Sequence, residues 1–173
     1  MREPRFLVAY YSLTGNTRRV AEAVFSALPG EKRLMDIGEE IPAGPFDLVF
    51  LGFPVMQFGV PRPVRNFPGS LPGGTPTALF ITHAMFEDPG QQVMLTRELE
   101  KCRSVVAEEN LAGFFHCRGE LSPAVAEELR LTGIPMLQGF AGLQPITAGH
   151  PDAEELEAAR QWARELAGSR RGG

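Results

Sequence analysis

Cysteine is scarce in this chain. Among 173 residues there are two, Cys102 and Cys117, with no Cys-x-x-Cys pair and no Cys/His spacing of the kind that holds zinc. This argues against a disulfide scaffold or a zinc site and reads both thiols as small buried hydrophobes in a reducing compartment. Long apolar runs are missing too, although 43% of the residues are hydrophobic and 22% charged, so a soluble globular protein is expected, with no membrane association. Charge of one sign is also in short supply. The formal net charge is −4 and no basic run exceeds Ser169-Arg170-Arg171, which argues against a general nucleic-acid binder. Met1-Arg2-Glu3-Pro4-Arg5 leads straight into an apolar run, leaving no room for the apolar region and cleavage site of a signal peptide. A cytoplasmic location is therefore the expectation. The length suits one well-cored domain and is short for two, so a single domain over residues 1–173 is expected.

What is present is an alternation of apolar runs and amphipathic segments. Strands are expected over residues 5–11, 31–37, 47–52, 75–82 and 111–117, with the third a continuous apolar run of the kind buried on both faces. Val20, Ala21, Val24, Phe25 and Leu28 line one side of a helix that Pro29-Gly30 stops. Met94, Leu95, Leu99 and Cys102 lie at helical spacing. Asp152-Ala153-Glu154-Glu155 resembles a capping box that starts a final helix, with Leu156, Ala159, Ala163 and Leu166 inward and Trp162 beside them as packing. Strand and helix in this order predict a parallel sheet covered on both faces. Residues 118–150 fit least well. They are rich in Pro and Gly, with a short helix expected around 123–131, and read as an addition of roughly thirty residues, longer than an ordinary loop. A docking surface, an oligomer contact or a cover over the sheet edge would each account for it.

The chemistry is concentrated where the first strand ends. Ser12-Leu13-Thr14-Gly15-Asn16-Thr17 follows Phe6 to Tyr11 and runs directly into the first helix. If Gly15 to Thr17 open that helix, their backbone N–H groups converge on one spot that the helix dipole makes favourable for an anion. The hydroxyls of Ser12, Thr14 and Thr17 and the amide of Asn16 add donors, and no Lys or Arg interrupts the six residues. A small terminal phosphate held by neutral donors suits such a cradle. A nucleoside triphosphate loop would need Lys followed by Ser or Thr, and a dinucleotide fingerprint would need Gly-x-Gly-x-x-Gly; neither occurs here. The alternative is a hydroxyl-rich N-cap with no ligand.

These six residues resemble the phosphate loop of flavodoxins, Ser/Thr-x-Thr-Gly-x-Thr after the first strand. The resemblance implies a flavodoxin-like, doubly wound five-stranded parallel sheet of order 2-1-3-4-5, and flavin mononucleotide (FMN) as cofactor. Two further loops would then flank the flavin ring. The first contains Pro54, Val55, Met56, Gln57, Phe58 and Gly59; the second contains Thr82, His83, Ala84, Met85 and Phe86. Flavodoxins often place a Trp in the first loop and a Tyr in the second; here Met56, Phe58 and Phe86 offer sulfur and ring contacts instead. Gly59 is a candidate for a peptide that reorients as the ring's reactive nitrogen takes a proton. His83 has three candidate roles: bonding a flavin carbonyl, relaying a proton, or capping loop carbonyls. Phe115-His116-Cys117-Arg118-Gly119 resembles an element recurrent in family members with an extended C-terminal half; it carries no Cys-x5-Arg cradle and is left outside the site. No residue receives a catalytic or metal-binding role. The function implied is an electron carrier that serves a redox partner protein, a reductase or an acceptor enzyme. A flavin-dependent reductase acting between a nicotinamide cofactor and a quinone, and a flavin-free adaptor on the same scaffold, are the alternatives.

Overall fold

A computed structural model of the chain describes residues 2–56, 59–86 and 89–170. Five parallel strands, β1 (Arg5–Tyr10), β2 (Glu31–Asp36), β3 (Leu48–Pro54), β4 (Thr77–His83) and β5 (Leu111–Arg118), form one sheet in the order β2-β1-β3-β4-β5. This is the doubly wound order expected from the resemblance. The order reverses between β1 and β3, the place where open parallel sheets bind ligands beyond their strand C-termini. Register brings those termini level: Tyr10 lies beside Gly52, Pro54 beside Thr82, and His83 beside Arg118.

Alternation along the strands divides the core into two layers. Phe6, Val8, Phe50 and Phe80 face α1 (Asn16–Ala27) and α6 (Ala153–Ser169), meeting Val20, Val24, Ala159 and Ala163. Trp162 of α6 sets its ring edge-on to Phe50 at 5.4 Å and stacks on Phe115 at 5.4 Å, a packing role as expected. On the other face Leu7, Leu51, Leu79 and Ile81 meet Cys102 of α2 (Gln92–Arg103), together with Val64, Phe67 and Leu71. Those last three sit in and beside two 3-10 turns, Arg62–Val64 and Pro68–Ser70, where Pro61, Pro63, Pro68 and Pro72 deny a longer helix its N–H donors. Capping follows the expected chemistry at α6: Asp152 accepts from Glu155 N–H while the Glu155 side chain accepts from Asp152 N–H.

Residues 119–152, between β5 and α6, hold α3 (Pro123–Leu131), α4 (Pro135–Ala141) and the single turn α5 (Gln144–Thr147). The helix expected around 123–131 is α3. Leu121, Ala126 and Ala141 form a small third core with Val125, Leu129 and Phe140, packed against Ala84 in the loop after β4. The segment packs against the loop after β4 and lies beside the strand termini. Among the described residues, no helix is long and apolar enough to cross a membrane.

Candidate cofactor site

The loop after β1 turns sharply into α1. Gly15 supplies the turn with φ 95°, a left-handed conformation that side chains disfavour, and its carbonyl accepts the first helical bond from Arg19 N–H at 3.0 Å. Among the described residues no side chain caps α1, and its first turn carries no acidic residue. The Ser12 hydroxyl accepts from Gly15 N–H at 3.1 Å, which folds the loop on itself and leaves the helix end to be met by something else.

The expected donors divide. Thr17 is buried, and its hydroxyl pairs with that of Thr82 at 2.8 Å across the ends of α1 and β4. Asn16 donates one amide hydrogen to the Glu120 carbonyl at 2.8 Å, a partner 104 residues away. Leu13 and Thr14 stand exposed at the loop's tip.

From this loop a cavity of about 560 Å³ extends over the strand ends, within the size range of small-molecule sites. Ser12, Leu13, Thr14, Asn16 and Thr17 line one end; Pro54, Val55 and Met56 line a second side, and Thr82, His83, Ala84 and Met85 a third. The remaining wall comes from the segment after β5: Gly119, Glu120, Leu121 and Ser122, then Val125, Glu128 and Leu129 of α3 and Leu137 and Phe140 of α4. The lining is mainly apolar, with Ser12, Thr14, Asn16 and Thr17 at the α1 end and Thr82, His83, Glu120, Ser122 and Glu128 on the other walls. A second hollow of about 420 Å³ lies on the far flank of the same loop, between Arg18, Arg19 and Ser122.

Several expected contacts take another form. Gly59 donates to and accepts from Met56 (2.9 and 3.0 Å) and is not among the residues lining the cavity. Gln57 and Phe58 lie outside the described residues. Gly15 lines the flanking hollow instead of the main cavity. Phe86 turns its ring beneath the Arg118 guanidinium, 4.6 Å away, and Met85 takes the place beside the cavity. Gly119, left out on sequence grounds, is part of the lining.

His83 is buried at the end of β4. Desolvation, followed by the neighbouring His116, lowers its pKa to about 4, so the ring is neutral at neutral pH. A carbonyl can only accept, so Nδ1 carries the proton and donates to Met85 O at 3.1 Å; Nε2 then accepts from His116 Nδ1–H at 3.0 Å. Both ring nitrogens are engaged within the protein. Of the three roles considered for His83, capping a loop carbonyl is the one seen. Burial likewise pushes Cys117 up to about 12, leaving the thiol protonated.

A hydroxyl-rich loop opening an uncapped helix, at the switch point of a 2-1-3-4-5 sheet, coincides with a family match: residues 7–164 fit the model of the Flavodoxin domain. The chain belongs to the flavodoxin domain family. The flavodoxin-like domain-containing protein BilS of Clostridioides difficile (strain CD3) is 26% identical over 174 residues, covering 92% of this chain and 94% of BilS. A flavodoxin from the domain Archaea shares the fold with a TM-score of 0.54 at 13% identity, over 96% of this chain and 99% of that one. Oxidised flavodoxin 2 from Bacillus cereus does so with a TM-score of 0.51 at 17% identity, over 95% and 99%. Within the flavodoxin framework, the residues that sequence reasoning missed are those of the fourth wall. Their local signals are the i, i+4 pair Val125 and Leu129 and the i, i+3 pair Leu137 and Phe140, which mark apolar helix faces without saying what they face.

Proposed function

We propose that this flavodoxin-family protein binds FMN noncovalently and passes electrons to a partner protein. The observation that carries the reading is the uncapped N-terminus of α1 behind Ser12, Thr14 and Gly15, opening at one end of a mainly apolar cavity. An anion completes that helix end, and a flat apolar group suits the rest. FMN has a phosphate and a ring in that relation, and when bound it supplies reversible electron transfer at its ring. The chain's own contribution is positional. Ser12, Thr14 and the first N–H groups of α1 hold the phosphate; Pro54, Val55 and Met56 face Ala84 and Met85 across the ring slot; Leu129, Leu137 and Phe140 exclude water from the remaining side. His83, with both nitrogens engaged, keeps the Met85 carbonyl from turning into the slot.

The test is the visible spectrum of the purified protein after loading with FMN and removing the excess. Retained flavin is expected in the natural chain, and loss of it in Thr14→Glu, whose carboxylate would occupy the phosphate position. A folded natural chain that retains none would overturn the reading and favour a flavin-free adaptor. Steady oxidation of a nicotinamide cofactor with a quinone, and no second protein, would move the assignment to a reductase.

A further inference from the structure

The contact between Asn16 and the segment after β5 joins the phosphate loop to a part of the chain that the strand order alone does not bring there. Three residues make that junction. Gly119 approaches so closely that a Cβ on it would stand 2.8 Å from Asn16 Nδ2 and 3.1 Å from Asn16 Cγ. The Glu120 carbonyl accepts the Asn16 amide at 2.8 Å. Leu121 follows, buried, at the start of the small core under α3 and α4.

The junction is anchored from the other side. Gly119 N–H donates to the His83 carbonyl at 2.8 Å, and Glu120 N–H to the His150 carbonyl at 2.8 Å. Gly149 N–H donates to Glu120 Oε2 at 3.0 Å, and Leu121 N–H to Thr147 Oγ1 at 2.9 Å. The phosphate loop is held at its end by the buried Thr17–Thr82 pair, and its tip carries fewer bonds among the described residues. Leu13 and Thr14 are exposed, and the loop's own bond is Ser12 to Gly15.

We propose that residues 119–121 form a strap that preorganises the phosphate loop: Gly119 and the Glu120 carbonyl fix Asn16, and thereby the first turn of α1, in the position that receives a phosphomonoester. The inference rests on the phosphate reading of the loop given above and assigns Gly119 and Glu120 as positioning residues. A preformed anion site avoids the ordering cost of assembling a loop around each incoming ligand, so the strap adds affinity for the phosphate and none for the ring. Its carboxylate gives the idea a sign. Glu120 lies close to the loop, so by charge alone its removal tightens binding of an anion, whereas loss of the Gly149 anchor loosens the strap and weakens it.

The experiment compares FMN with riboflavin, which lacks the phosphate, by flavin fluorescence titration of the natural chain, Gly119→Ala and Glu120→Ala. The natural chain is expected to prefer FMN. Both variants are expected to lose FMN affinity by about three- to tenfold, Gly119→Ala by displacing Asn16 and Glu120→Ala by losing the Gly149 anchor while keeping the carbonyl that holds Asn16, and riboflavin affinity stays within about twofold. Tighter FMN binding by Glu120→Ala would overturn the proposal in favour of charge repulsion. Equal losses for both ligands would overturn it in favour of a simple wall. If Gly119→Ala does not fold, Glu120→Ala carries the test alone. A natural chain that binds both ligands equally would instead remove the phosphate reading itself, and the strap with it.

Discussion

Asn16 and Thr17 are neighbours in sequence with different partners in space. The Thr17 hydroxyl is buried against Thr82, and the Asn16 amide reaches Glu120. Both residue types were legible as donors around a helix start; which donor faces a ligand and which holds the chain together was not, because both partners lie far along the sequence. His83 shows the same division. Its position after an apolar strand marked it as a candidate, but its tautomer is set by Met85 and His116. A pH dependence follows. An unfolded histidine takes a proton near pH 6.5, while His83 in the folded state takes one only near pH 4. Between those values the unfolded chain binds more protons, so His83 favours the folded state above pH 6.5, and that contribution is lost as pH falls toward 4, with a slope of at most about 1.4 kcal/mol per pH unit. Urea unfolding at a series of pH values should show this slope, reduced in His83→Gln.

The strands and helices follow from period and punctuation, and their tolerance of substitution differs for reasons only packing shows. Gly52 sits mid-strand in β3 where a Cβ would fall inside the Phe80 ring, itself fully buried. Gly113 in β5 also lacks room, but the nearest atom is Leu166 Cδ1 at 2.7 Å, the mobile end of a side chain. Gly52→Ala is therefore expected to destabilise by about 3 kcal/mol or more and Gly113→Ala by under about 1.5 kcal/mol, compared by chemical denaturation. At the start of α6, Asp152 accepts from Glu155 N–H at 2.9 Å, a cap that its four-residue pattern announced. Asp152→Ala should cost about 1 kcal/mol, read from the same denaturation midpoints. The capping box was legible because it is local. The near-collision of Gly52 with Phe80 was not, because it depends on how β3 lies beside β4.

At the scale of the whole molecule, the sheet is sealed on both faces, and the cysteines lie within that seal. Cys102 and Cys117 are buried in opposite core layers, and burial raises each thiol to about 12. A thiol-specific reagent should leave both untouched in the folded protein and modify both once denaturant is added. The exposed apolar residues Leu131, Ile134 and Met136 cluster instead on the α3–α4 hairpin, the outer side of the segment whose inner side lines the cavity. Sequence alone determined the alternation of elements, the parallel order that the phosphate-loop resemblance implies, and the hydroxyl-rich loop at the end of β1. Each of these is a local signal, read over a few turns of chain. The tertiary structure decided that residues between 119 and 140 wall the cavity, that Asn16 is held by Glu120, and that Phe86 yields its place to Met85. Those outcomes depend on which distant surfaces bury one another, and apolar burial has no direction of its own until the chain has folded.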